Sequence, residues 1–163
     1  METYDGQTTQ KGDETKGLDE FLHSFDSPIL LEVEQGVLND LKTRKIESPE
    51  DREKALVRAL AASNVAIHFE RAANSIWASQ LAYLRFLNSS GLNTDIAGAV
   101  TFYDQAKYQY PEFYEDYDVD RWLGFLREFK LVGQENSKIF ITIAGREFLK
   151  YLIALGKPEP LYG

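Results

Sequence analysis

Residues 118–149 read DVDRWLGFLREFKLVGQENSKIFITIAGREFL and contain the clearest structural signals of the chain. Asp118 is a typical helix cap, and a helix is expected over 118–129 because its apolar residues follow the i, i+3, i+4, i+7 spacing of one helix face. The members of that face are Trp122, Leu123, Phe125, Leu126 and Phe129.

After this helix, the spacing of the apolar residues changes from that of a helix face to strict alternation. Residues 134–137 are polar and predict a turn, and Ile139, Ile141 and Ile143 then alternate as in a half-buried strand. Thr142 is placed to cap a last helix over 144–155, which Gly156 ends. The stretch therefore predicts a helix, a small β-hairpin and a closing helix.

Three further helix starts lie upstream. Asn93-Thr94-Asp95 begins a helix that ends before Pro111, and Ser27-Pro28 begins one over 28–44. Ser48-Pro49 opens some forty residues without Pro or Gly, up to Asn88-Ser89-Ser90-Gly91. The sequence allows one long helix over 48–90 or two helices with a break near Ala62-Ser63-Asn64.

Composition divides the chain into four regions. Residues 1–17 hold one large apolar side chain, Tyr4, and are expected to be a disordered tail. Residues 18–75 form an N-terminal helical region, 76–156 a domain with the hairpin, and 157–163 a C-terminal tail. The broad apolar face of the 48–90 segment, and a length that exceeds a domain of this size, predict a homodimer made by the long helices.

The order of elements over 76–156 resembles winged helix-turn-helix domains. The resemblance lies in Trp122-Leu123-Gly124-Phe125-Leu126, then Phe129-Lys130-Leu131-Val132, a polar turn, and Ile139-Phe140-Ile141-Thr142-Ile143-Ala144-Gly145-Arg146-Glu147-Phe148-Leu149. Long flanking helices make the arrangement similar to dimeric MarR-type and PadR-type regulators. The resemblance implies a mainly α fold with a small β-hairpin, in which long helices precede a winged-helix domain. It also implies that the protein binds DNA as a transcriptional regulator or accessory factor.

In such domains the helix at 118–129 would enter the major groove. Five bases on this helix, the wing and the following helix are then the expected DNA contacts: Arg121, Arg127, Lys130, Lys138 and Arg146.

Charge favours a second interpretation. The net charge is -8, and residues 94–133 carry eight acids against four bases, which opposes phosphate binding. An acidic, tyrosine-rich surface could instead bind a basic protein partner without DNA, through Tyr110, Tyr114, Glu115, Asp116 and Tyr117. The same tyrosines could also pack in a core, and the sequence leaves both alternatives open.

Catalysis, metals and cofactors have no support in the sequence. The chain has no cysteine and two histidines, and the common enzyme signatures are absent, so we expect no enzyme, no metal site and no cofactor. Asp116, Asp118 and Asp120 resemble the start of a calcium loop, but Arg121 and Arg127 stand where that loop needs Gly and Glu.

Targeting signals also give no match. No segment approaches the roughly 18 apolar residues of a membrane span, and the N-terminus lacks the basic start and apolar run of a secretory signal. We therefore expect a cytoplasmic protein with no membrane contact.

Overall fold

A computed structural model describes residues 10–25, 27–91 and 93–156. These residues are mainly helical and include one small antiparallel hairpin, which confirms the predicted fold class. The helices are α1 (Gln10–His23), α2 (Pro28–Thr43), α3 (Pro49–Ser75), α4 (Ala78–Ser90), α5 (Ile96–Gln109), α6 (Val119–Glu128) and α7 (Ile143–Leu155), with a 3-10 turn at Pro111–Phe113 and the strands β1 (Val132–Glu135) and β2 (Lys138–Ile141).

The chain divides into two units, residues 1–59 and 60–163, and the boundary falls within α3. The predicted tail at 1–17 lies partly outside the described residues, and α1 already begins at Gln10 within it. The predicted tail at 157–163 lies entirely outside them.

Four polar side chains begin helices where the sequence predicts them. The side chains of Ser27, Asp95, Asp118 and Thr142 each accept a hydrogen bond from a backbone N–H in the first turn of their helix. Each bond satisfies one of the free N–H groups that a helix start leaves unpaired.

The 48–90 segment forms two helices, and they meet at Ile76 and Trp77 instead of Ala62–Asn64. Trp77 has extended backbone (φ -87, ψ 156), and its N–H donates to the Gln80 side chain at 2.9 Å. Its ring packs on Tyr114 and Tyr117, with centroids 4.9 and 4.3 Å away. The predicted position was wrong because contacts distant in sequence, and not a local helix breaker, interrupt the helix.

The hairpin is tight and carries a third short extended segment. Asn136 and Ser137 form its two-residue turn, both with positive φ, as a type I′ turn requires. Thr94, before α5, pairs with Ile139 on β2 through two backbone hydrogen bonds of 3.0 and 2.6 Å. Gly133 leaves room for the Phe140 ring, because a Cβ there would lie 2.5 Å from it.

The hydrophobic core belongs almost wholly to the second unit. Among the buried apolar residues that the structure describes, only Leu41 lies before Phe69, and the rest come from the end of α3 through α7. The described helices of the first unit contact each other only marginally, and apart from Leu41 their described large apolar side chains are exposed.

Candidate nucleic-acid interface

Helix α6 presents a buried face and a charged face. Trp122, Leu123 and Leu126 are buried in the core, while Arg121 and Arg127 are exposed. Arg121 is turned toward the loop that precedes the helix. Its guanidinium donates to the Asp116 carbonyl at 2.8 Å and lies 5.6 Å from the centre of the Tyr117 ring.

Arg127 lies beside the hairpin. Its guanidinium donates to the side-chain oxygen of Gln134 on β1, which connects the last turn of α6 with the hairpin. Lys130 follows in the left-handed region (φ 55), and its carbonyl accepts a hydrogen bond from the Thr142 hydroxyl at 2.6 Å. Its side chain is exposed. The structure thus brings these two predicted bases to the start of the hairpin.

Lys138 and Arg146 lie toward the other face of the hairpin. Lys138 is exposed next to the turn and is the register partner of Glu135. Arg146, in the first turn of α7, lines a pocket with Glu135 and Phe140. Successive residues of a strand point to opposite faces, so Gln134 and Glu135 separate Arg127 from Arg146. A partner that contacts all of these bases must therefore reach around the hairpin end.

Charge changes sign within α6. Residues 95–120 carry seven acids and one base, while residues 121–156 carry six bases and three acids. Asp118 has a structural reason to stand at the start of α6, since it caps the helix through the Arg121 N–H at 2.8 Å. The C-terminal half of α6, the hairpin and the start of α7 form the more basic part of the second unit.

The tyrosine-rich loop is mostly structural. Tyr114, predicted as a contact residue, is 1% exposed, and its hydroxyl lies 2.7 Å from that of Ser79. Tyr117 and Tyr110 are half-buried beside the core. Glu115 and Asp116 are exposed. The surface predicted for a basic protein partner is therefore wrong at Tyr114, because this side chain fills the core and cannot reach a partner.

A buried polar network holds α6 in place. Gln80 is fully buried on α4, and its amide donates to the Trp122 carbonyl at 2.8 Å and to the Tyr117 hydroxyl at 3.3 Å. The Trp122 indole N–H donates to the Ser79 hydroxyl at 2.9 Å. This positioning role of Gln80 is not among the roles predicted from the sequence, and the signal that could have revealed it is a glutamine within the apolar stripe of a helix.

Burial also changes the titration of this region. Removal from water raises the pKa of Tyr83, Tyr114 and Tyr117 above the ordinary value, because the charged phenolate is the form that burial penalises. These phenols therefore remain neutral hydrogen-bonding groups at neutral pH.

The described part of the chain contains no group of three or more His, Cys, Asp or Glu residues that could hold a metal ion. None of its helices is long and apolar enough to cross a membrane. No protein-family model matches the chain, and neither a curated protein nor a solved structure is detectably similar to it.

Proposed function

We propose that residues 76–156 form a winged-helix domain that binds duplex DNA as a transcriptional regulator or accessory factor. The observation that carries the proposal is the arrangement around the hairpin. Helix α6 leads directly into β1, the extended Thr94 pairs with β2, and α6 keeps a charged face open to solvent. This combination suits a recognition helix with an adjacent wing.

The charge distribution decides which part of the interface contacts phosphate. Recognition helices commonly contact bases with their N-terminal residues, but the start of α6 is acidic and Arg121 is held against the Asp116 carbonyl. Arg127, Lys130 and Lys138 lie outside that acidic start, and the acid nearest to Lys138 in the hairpin is its register partner Glu135. We therefore assign the phosphate contacts to the C-terminal half of α6 and to the wing, with Arg146 at the far side of the hairpin.

Fluorescence anisotropy with a random-sequence duplex, at low and at moderate salt, tests this function. Each phosphate neutralised by a base adds about 0.9 to the slope of log affinity against log salt. We expect Arg127→Ala and Lys138→Ala to weaken binding and to reduce the slope by about one unit each.

Lys107→Ala is the matched control, because this exposed base lies on α5, within the acidic stretch 95–120 and outside the assigned interface. It should leave both the affinity and the slope unchanged. No binding of the unaltered protein at low salt would contradict the proposal. Equal losses in all three variants would show a response to net charge only and would contradict the assigned interface.

A second candidate function is binding of a basic protein through helix α5. The observation in its favour is the exposure of Tyr108, at 91%, within the acidic stretch 95–120. An aromatic side chain among carboxylates suits a partner rich in Lys and Arg. A Tyr108→Ala variant that keeps DNA affinity but loses binding to a polylysine probe would support this function.

A further inference from the structure

The first unit exposes apolar surface that its own chain leaves uncovered. On α1, Leu18, Phe21 and Leu22 repeat at the spacing of one helix face, Phe25 follows in the turn after the helix, and each is more than half exposed. Helix α2 continues with further exposed apolar side chains: Ile29, Leu30, Leu31, Val33, Val37 and Leu38. Among the residues of this unit whose burial the structure describes, only Leu41 is buried.

Helices of this length need packing to persist. Isolated helices shorter than about 12–15 residues are marginal in water, and helices in proteins derive most of their stability from a packed apolar face. Helices α1 and α2 have 14 and 16 residues, and within the first unit they pack only marginally. The unit therefore requires a partner that covers its apolar faces.

The exposed area is sufficient for a stable interface. Complete burial of a Val, Leu, Ile or Phe side chain removes roughly 60–120 Å² of apolar surface from water. Ten large apolar side chains of α1, α2 and the turn between them are between 38 and 64% exposed. Their burial would cover on the order of 300–600 Å² of apolar surface per chain, which is comparable to the apolar share of the about 800 Å² that each partner contributes to a standard specific interface.

The charges of α2 complement a second α2 that runs antiparallel to it. Glu32 and Glu34 lie in its first half, Asp40 and Lys42 lie in its last turn, and Arg44, which forms an ion pair with Asp40, follows it. A two-fold axis near Leu38 would place Glu34 beside Lys42 of the second copy, and Glu32 beside Arg44 of its Asp40–Arg44 pair. A symmetric interface of this kind uses the same patch on both chains, and its opposite charges fix the antiparallel direction.

We propose that the first unit is a dimerisation arm, in which the apolar faces of α1 and α2 pack on the same helices of a second copy of this chain. The two α2 helices run antiparallel about an axis near Leu38. This interface does not depend on DNA binding, because it uses none of the residues assigned to the nucleic-acid interface.

Sedimentation equilibrium of the full chain, together with far-UV circular dichroism, tests the arm. The unaltered protein should have twice the chain mass at micromolar concentration. Val37→Glu and Leu38→Glu should produce monomers with less helix. Intrinsic propensity cannot explain such a loss, since glutamate forms helices as well as leucine does and better than valine. Trp77 and Trp122 both lie in the second unit, so unchanged tryptophan fluorescence would show that this unit stays folded.

Ile153→Glu is the matched control, because Ile153 is 80% exposed on α7. It should leave the dimer intact. A full chain that is monomeric at about 100 μM would overturn the proposal. A dimer that both α2 variants leave unchanged, or one that only the α7 variant dissociates, would place the interface elsewhere and would also overturn it.

Discussion

Gln80 shows how one buried polar residue positions the surface that we assign to DNA. It has no exposed surface, yet both of its polar atoms have partners: its oxygen accepts from the Trp77 N–H at the start of its own helix, and its amide nitrogen donates to Tyr117 and Trp122 on later segments. A buried network of this kind stabilises one arrangement of the helices, since any shift would leave polar groups unpaired in the core. The orientation of α6 therefore depends on a residue far from its charged face.

Replacement of Gln80 by leucine keeps the side chain's approximate volume but leaves the Trp77 N–H and the Trp122 carbonyl without their partner. Loss of a partner for a buried polar group costs about 1–3 kcal/mol. We expect Gln80→Leu to lower the free energy of unfolding by about 2–4 kcal/mol, measured by urea unfolding with tryptophan fluorescence. Gln105→Leu, on an exposed position of α5, should change it by no more than about 0.5 kcal/mol.

Tyr114 marks the limit of sequence-based prediction at this scale. Helix caps are local, so Asp95, Asp118 and Thr142 could be identified from their neighbours in sequence. The burial of Tyr114 depends on Ser79 and Trp77, which lie more than thirty residues away in the chain. Composition alone shows an acidic loop with aromatics and cannot separate core residues from contact residues.

At the scale of elements, the backbone of the hairpin turn is strained at Ser137, and a substitution there can relieve the strain. Ser137 has φ 65, a conformation that costs most residues other than glycine about 1–2 kcal/mol. Asn-Gly is the preferred pair for a type I′ turn. We expect Ser137→Gly to stabilise the protein by about 0.5–1 kcal/mol, because the relief of strain exceeds the larger chain entropy of glycine. A rise in the thermal midpoint would measure this gain.

Ser137→Ala provides the comparison for this turn. Alanine has the same steric restriction as serine, so it should give no stabilisation. A gain of equal size with alanine would show that the serine hydroxyl, and not the backbone conformation, causes the strain. Neither variant changes a charge, and we expect the salt dependence of DNA binding to stay the same in both.

The junction of α3 and α4 shows what periodicity can predict about an element. The absence of Pro and Gly correctly indicates helix over most of 48–90. The absence of Pro and Gly does not show where the helix breaks. The break depends on the extended backbone of Trp77, which Gln80 and two tyrosines on a later loop stabilise. The residues that stop this helix are partners in space, and the predicted Ala-Ser-Asn site has no comparable contacts.

At the scale of the molecule, two buried tyrosines and the half-buried Tyr117 predict the response to alkaline pH. Desolvation raises the pKa of Tyr83, Tyr114 and Tyr117 in the folded chain above the ordinary value near 10. The folded state thus holds these protons more tightly than the unfolded state. This contribution to stability is fully present below about pH 10 and is lost as the pH rises through the folded pKa values.

Urea unfolding at a series of pH values from about 8 to 11, followed by circular dichroism, measures this loss. We expect the midpoint to fall above about pH 10. Tyr114→Phe removes one of the three phenols, so its midpoint should fall less steeply even though its stability at neutral pH is lower. Parallel curves for the two proteins would show that other groups cause the alkaline unfolding.

The described part of the first unit buries little apolar surface, so the proposed arm would link the lifetime of the chain to its abundance. Proteases cleave segments that open easily, and helices without buried contacts open at little free-energy cost. A chain whose arm has met no second copy would present residues 18–47 to proteases, while a paired chain would be protected. The cell would then remove surplus single chains first, and only the assembled form would accumulate.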